Sequence, residues 1–215
     1  MKRKSFWVAT GLLVIPVAIF FLLKASKQNF RRLPYLGEKV EPNGIDIKDT
    51  IYYQAPVFSV TDQMGKELNS SMLTDNIIIA NFFFTSCKDI CPTMNYKLAE
   101  IYNKAKEWSE VKFVSFSVDP DNDSTQVLAK YAQQFKADST IWHFCLTDKA
   151  NLFKIGQGFL LPVAIEDSTI DHSQQILLID KSRHIRGLYN GLDNNDMKRL
   201  NDELKVLLYE YHQPK

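Results

Sequence analysis

Two cysteines four residues apart, Cys87 and Cys91, stand in the stretch FFFTSCKDICPTM. Thiolates ligate soft metals and attack disulfides, so their surroundings decide what the pair can do. The run just before them, IIIANFFF from Ile77 to Phe84, is almost continuously apolar. That suits a strand covered on both faces. Pro92 stands where a helix would begin, since its missing N–H costs nothing at the first helical position. Cys91 is thereby expected at a helix N-terminus and Cys87 on the loop or turn before it. The positive end of the helix dipole lowers a thiol pKa. Residues four apart on a helical turn lie roughly 5–6 Å apart on one face. A disulfide can bridge that separation, and one soft metal ion can be chelated across it. The spacing alone does not separate these two uses. Two buried structural cysteines are the blander reading, and the position at a strand-to-helix junction beside proline argues against it.

A third metal ligand has to come from a distant segment. Of the four histidines, His212 reads as solvated at the C-terminal end and His143, in the strand-like IWHFCL, as structural. His184 sits in the KSRH turn and reads as exposed. His172 lies in IEDSTIDHSQQ, a loop just before a strand. Two thiolates and one imidazole form a soft, low-coordination set. Thiolates favour copper(I), zinc or iron–sulfur chemistry, and imidazole suits copper and zinc. Structural zinc would ask for a fourth ligand, so a three-ligand site that must also release its metal suits copper better. Cys145 reads as a buried, inert core thiol. Asp119, in SVDP, reads on its own as a turn aspartate before Pro120.

The elements that must position these residues form one α/β domain from about Ile51. Val57 to Val60 and Lys66 to Leu68 flank TDQMG as a hairpin. After the Ile77 strand, Thr93 to Trp108 reads as a helix, with Met94, Leu98, Ile101, Tyr102 and Ala105 on one side. Val111 to Val118 is the next strand. Asp123, with Gln126 three residues on, reads as the cap of a helix carrying Leu128, Tyr131 and Phe135. A short strand over Ile141 to Leu146 and a helix around Ala150 to Gly156 follow. Gln175 to Ile179 and Ile185 to Tyr189 read as antiparallel strands, and Asn195 to His212 as the last helix. This order is that of a thioredoxin-like fold, a central mixed sheet flanked by helices, in which the loop carrying His172 lies beside the cysteines.

The chain has 215 residues, of which 45% are hydrophobic and 24% charged, enough for a folded domain that needs no disulfide scaffold. A net charge of +1 gives no electrostatic case for nucleic acid as a partner. Three cysteines are too few for a disulfide-rich framework. A short basic N-terminus, residues 1–5, precedes the uncharged run FWVATGLLVIPVAIFFLL at residues 6–23. As a helix this run spans roughly 27 Å, close to the hydrocarbon thickness of a bilayer. It reads as a transmembrane anchor; a cleaved signal peptide is disfavoured by its length and by the poor cleavage site in KASKQNF. Basic residues flank it on both sides, so charge does not fix its orientation. Residues 24–50, with Pro34, Gly37, Pro42 and Gly44, read as a linker to the domain at 51–215.

The DQMG hairpin, FFFTSCKDICPTM, FVSFSVDPDNDS, WHFCLT and DHSQQILLID occur in this order. Over about Ile51 to Tyr211 the chain thereby resembles the Sco (SenC) family of copper chaperones for cytochrome c oxidase assembly. The resemblance implies copper, as copper(I), copper(II) or both, on Cys87, Cys91 and His172, and a copper-receiving oxidase subunit as partner. It also implies a single-pass N-terminal anchor in the inner membrane, with the domain in the periplasm or an equivalent extracytoplasmic space. Asp119 matches an acidic position near the family's metal site and is expected to support it. One departure is the KSRH turn after LID, where the family usually has glycine. A second role is a thiol-disulfide oxidoreductase keeping the recipient's cysteines reduced, though C-x-x-x-C departs from the C-x-x-C of ordinary thioredoxins. A peroxidase of the peroxiredoxin type is disfavoured, because no arginine occurs between Arg32 and Arg183.

Overall fold

The computed structural model describes residues 14–17, 32–40, 51–161, 165–166, 169–170 and 174–212. Its strands are β1 (Lys39–Val40), β2 (Ile51–Tyr52), β3 (Ser59–Asp62), β4 (Glu67–Asn69), β5 (Ile77–Phe83), β6 (Val111–Ser117), β7 (Trp142–Leu146), β8 (Ile165–Glu166), β9 (Thr169–Ile170), β10 (Gln175–Ile179) and β11 (Ile185–Asn190). The helices of the domain are α1 (Ile90–Ala105), α2 (Thr125–Gln134), α3 (Lys149–Gly158) and α4 (Asn194–His212). Seven strands form the central sheet in the order β11-β10-β5-β6-β7-β3-β4. β5, β6 and β7 are parallel; β10, β11, β3 and β4 join antiparallel.

β5 is buried at every position, which is why its sequence shows no alternation. Ile77, Ile79 and Phe83 pack with Leu98, Tyr131 and Leu200, from α1, α2 and α4. Ile78, Ala80 and Phe82 pack on the other face with Leu152, Ile155 and Phe159, from α3 and the turn after it. The DQMG hairpin is closed by Asp62, whose carboxylate accepts from the N–H groups of Met64 and Lys66. Its neighbour Gln63 bonds the Trp142 carbonyl and the Phe144 N–H, which pins the hairpin to β7.

Several expectations change. Helix α1 starts at Ile90, three residues early, with Asp89 as its cap residue. Pro92 is therefore the third helical residue, still within the first turn where no N–H partner is lost. The cap of α2 is Ser124, whose hydroxyl accepts from Val127 N–H at 3.3 Å. Asp123 is turned inward instead. His184 is half-buried and lies 3.3 Å from the Asp180 carboxylate. In the KSRH turn, Arg183 takes up the left-handed conformation at φ +65°. Asp180 holds that turn by accepting from Ser182 and His184 N–H.

The expected linker also changes. Residues 32–40 belong to the domain: Leu33 is only 7% exposed, Leu36 N–H bonds the Ile185 carbonyl at 2.9 Å, and β1 pairs with β2. The cause is Arg186, itself 2% exposed. Its guanidinium bonds Asp180, Glu210 and the carbonyls of Leu33 and Pro34, and lies 4.2 Å from the Tyr35 ring centre. A buried cation must have such partners, and two of them come from this segment.

Residues 1–31 form a separate unit. The anchor expected at residues 6–23 lies outside the described residues, apart from residues 14–17, which are helical. Among the described residues no helix is long and apolar enough to cross a membrane.

Candidate metal centre

β5 delivers the chain to Phe84, and the cysteines follow at its C-terminal end. Cys87 N–H bonds the Phe84 carbonyl at 3.3 Å, and Cys91 N–H points at Cys87 Sγ, also at 3.3 Å. Both thiols are free. Cys87 is half-buried, whereas Cys91 is 1% exposed. Burial alone would raise the Cys87 thiol, but the N–H groups of Cys91, Asp89 and Ile90 aimed at its sulfur outweigh this and hold it below the usual range. Burial pushes the Cys91 thiol up to about 12, and the neighbouring Cys87 adds to the rise. The pair is therefore asymmetric. One sulfur, half-buried, gives up its proton more readily than an ordinary thiol; the other, buried, holds its proton more tightly.

The loop carrying Cys87 is fixed from below. Asp123 is 3% exposed, and its carboxylate accepts from Thr85 N–H at 3.3 Å, from the Thr85 hydroxyl and from the Ser117 hydroxyl. Ser117 Oγ in turn accepts from Asp119 N–H at 3.2 Å. Phe83 and Ser117 are partners in the register of β5 and β6, so a carboxylate just beyond β6 reaches both strand ends. Sequence reading missed this role. The available signal was a hydroxyl residue at the end of each neighbouring parallel strand, with an acid in the loop that follows. Asp119 lies at the same end of the sheet, where both its carboxylate oxygens accept from Asn122 Nδ2.

His172 lies outside the described residues. Gln174 leads directly into β10, and its carbonyl accepts from Gly191 N–H at 2.8 Å. Ile176 pairs with Asn81, so β10 begins at the end of the sheet where β5 runs into the cysteine loop. Among the described residues no three His, Cys, Asp or Glu side chains are grouped to hold a metal ion; the described part of the site is the two sulfurs. They are soft donors that suit copper(I).

The other candidates stay apart. Cys145 on β7 is fully buried and its thiol is raised well above the ordinary value by that burial. His143 is buried with Nδ1 3.7 Å from Asp62; burial lowers its pKa against the pull of that carboxylate. His212 bonds Glu110 at 2.9 Å and is largely exposed. A cleft of about 310 Å³ lined by Pro56, Phe58, Leu73, Phe159 and Arg183 has neither cysteine in its wall.

Beneath Cys91 lies a chain of buried polar groups. Trp142 Nε1 donates to Ser115 Oγ at 2.9 Å, and Ser115 Oγ donates to Asn81 Oδ1 at 2.6 Å. Asn81 Nδ2 donates to Asn95 Oδ1 at 2.9 Å, and Asn95 Nδ2 donates to the Tyr131 hydroxyl at 3.0 Å.

A buried parallel strand that feeds a helix start bearing two cysteines, within a mixed sheet covered on both faces, defines a thioredoxin-like domain. Residues 50–208 match the SCO1/SenC family model, and the chain belongs to that family. It is 29% identical over 169 residues to the SCO1 protein homolog of Bacillus subtilis (strain 168), covering 75% of this chain and 86% of that one. The structure of BsSco, described as a member of the Sco family of cytochrome c oxidase assembly proteins with a disulfide switch, superposes with a TM-score of 0.63. It is 26% identical, over 76% of this chain and 98% of that one. Arabidopsis thaliana ScoI with copper bound superposes with a TM-score of 0.61 at 27% identity, over 73% and 99% of the two chains.

Proposed function

We propose that this protein binds copper on Cys87, Cys91 and His172 and passes it to the binuclear copper centre of a cytochrome c oxidase subunit. The observation that carries the reading is the asymmetric dithiol at the strand-to-helix junction, in a chain similar to a Sco protein crystallised with copper. Copper is the cargo. It meets the Cys87 thiolate first, displaces the Cys91 proton, and takes His172 as third ligand. Binding at neutral pH therefore releases a proton. A buried second sulfur with a half-buried first one suits transfer by ligand exchange, because the recipient approaches from the Cys87 side. Asp119, at the same end of the sheet, is assigned a supporting role. The run at residues 6–23 is the anchor in this reading, and the domain works in the periplasm or an equivalent compartment.

The test uses the full chain in detergent, reduced and titrated with copper(I). One equivalent per monomer is expected. His172→Ala should weaken binding by at least the ~10–100-fold typical of changes around a metal site, while the dithiol still cycles to a disulfide. Binding of two tight equivalents, or normal binding by His172→Ala, would sink the ligand assignment.

The asymmetry of the thiols also favours a second reading, a thiol-disulfide oxidoreductase acting on the recipient's cysteines. Cys87 would attack and Cys91 would resolve the mixed disulfide. A His172→Ala protein that lacks copper yet supports full oxidase assembly would favour this reading.

A further inference from the structure

The cleft of about 310 Å³ reaches Ile78 near the start of β5 and Ile179 at the end of β10, away from the cysteines. Its apolar lining is Phe58, Leu73, Ile78, Phe159 and Ile179, all buried. Phe58 stands edge-on to Phe116 at 5.2 Å and to Phe159 at 6.4 Å, so the aromatic wall is fixed by packing. The segment from Tyr53 to Pro56 forms another wall and is tied down at both sides. The Tyr53 hydroxyl donates to the Gly158 carbonyl at 2.9 Å. Pro56 packs so close to Gly158 that a Cβ there would come within 2.5 Å of its ring. Ala55 N–H bonds the Arg183 carbonyl at 2.7 Å, and Gln54 Nε2 bonds the Ser182 carbonyl at 3.1 Å. The cleft is thus built before any ligand enters.

The charged groups in its wall differ in how they are used. Asp180 is buried and holds Arg186, and Lys181 pairs with Glu110 and lies over the Tyr211 ring. Arg183 is half-buried, and its guanidinium donates at 3.1 Å to Gln54 Oε1, a neutral acceptor. Among the described residues no carboxylate pairs with it. Ser70 is only 5% exposed; its Oγ accepts from Phe58 N–H at 3.1 Å, and among the described residues no acceptor takes its proton. A partly desolvated cation and a buried hydroxyl proton in an apolar cleft ask for an acceptor from outside.

We propose that this cleft binds a free monocarboxylate with an apolar chain, its chain on Phe58, Leu73 and Phe159 and its carboxylate on Arg183. The planar guanidinium fork matches a carboxylate, one unpaired cation balances one negative charge, and a preformed apolar cleft with a few polar groups is the usual form of a small-molecule site. The site lies apart from Cys87 and Cys91 and does not depend on the copper reading.

The test measures binding of radiolabelled octanoate by equilibrium dialysis to the full chain in phosphatidylcholine nanodiscs, with empty nanodiscs subtracted. One saturable site per chain is expected. Octanol, which keeps the chain and lacks the charge, should compete at least about ten-fold more weakly, since the charge-assisted bond is lost. Arg183→Gly suits the left-handed turn and removes the guanidinium. It should weaken octanoate roughly ten-fold, leave octanol unchanged, and leave the alkylation of Cys87 as it was. If Arg183→Gly does not fold, octanoate against octanol on the natural chain carries the test alone. No saturable binding above empty nanodiscs, equal competition by octanol, or octanoate binding unchanged in Arg183→Gly overturns the proposal.

Discussion

The two ends of the central sheet handle charge in opposite ways. At the end where β10 turns into β11, Arg186 is buried against two carboxylates, two carbonyls and an aromatic face. Every charge in that cluster has its partner, and the cluster is closed. At the other end, the N–H groups of α1 converge on Cys87, and the polar chain from Trp142 ends beneath Cys91. No described cation is among the causes that shift either sulfur. A closed cluster holds the fold, while an open one is prepared for something that arrives. Cys145 is the third case: as buried as Cys91, with an Asp62 charge that opposes ionisation.

The largest effect should come from opening the closed end. Arg186→Leu leaves buried Asp180 and half-buried Glu210 without their cation. Breaking such a pair costs about 3–5 kcal/mol, measured as a lower urea midpoint. The thiol chemistry of the folded fraction should be unchanged; loss of both together would mean that the two ends are not independent. Next comes Asp123→Ala, which strips the acceptor from Thr85 and Ser117 and should cost about 1–3 kcal/mol. Here the Cys87 loop loosens, so alkylation of Cys87 should change while Cys145 stays protected. Unaltered Cys87 reactivity would show that Asp123 supports the fold alone.

The smallest effect belongs to Cys145→Ala, which should leave the dithiol's alkylation profile as it was. In that profile Cys87 reacts at a pH below the ordinary thiol range, and Cys91 stays protected until the pH nears about 12. The same shift has a linkage sign. Cys91 is raised in the folded protein, so its contribution to stability is intact below the ordinary value of 9.0 and is lost as pH climbs toward about 12. Equal reactivity of the two cysteines at neutral pH would remove the asymmetry on which the metal reading stands.

Much of this arrangement was legible in advance. The unbroken apolar run at Ile77 announced a strand covered on both faces, and Cys87, Cys91 and Pro92 announced the junction after it. The periods of Leu98 and Leu204 gave the long helices to within three residues. What escaped were long-range polar contacts. Asp123 obeyed a local capping rule that Ser124 satisfies instead, because the carboxylate had better partners on two distant strand ends. Residues 32–40 look like linker composition, since nothing local in Leu33 or Pro34 says that a distant buried arginine needs their backbone. The Trp142-to-Tyr131 chain joins five elements and leaves no period in any of them.

The grip of Arg186 on Leu33 and Pro34 has a mechanical side. Ile185 pairs with Ile179, and Ile179 with Ile78, so this grip sits at the start of β5, a full strand length from the cysteines. Tension applied to the chain ahead of residue 32 is taken up by Arg186, Glu210 and the Leu36–Ile185 bond, as a cable clamp takes a pull before it reaches the terminals. Cys87 and Cys91 then keep their spacing while the chain upstream is tugged.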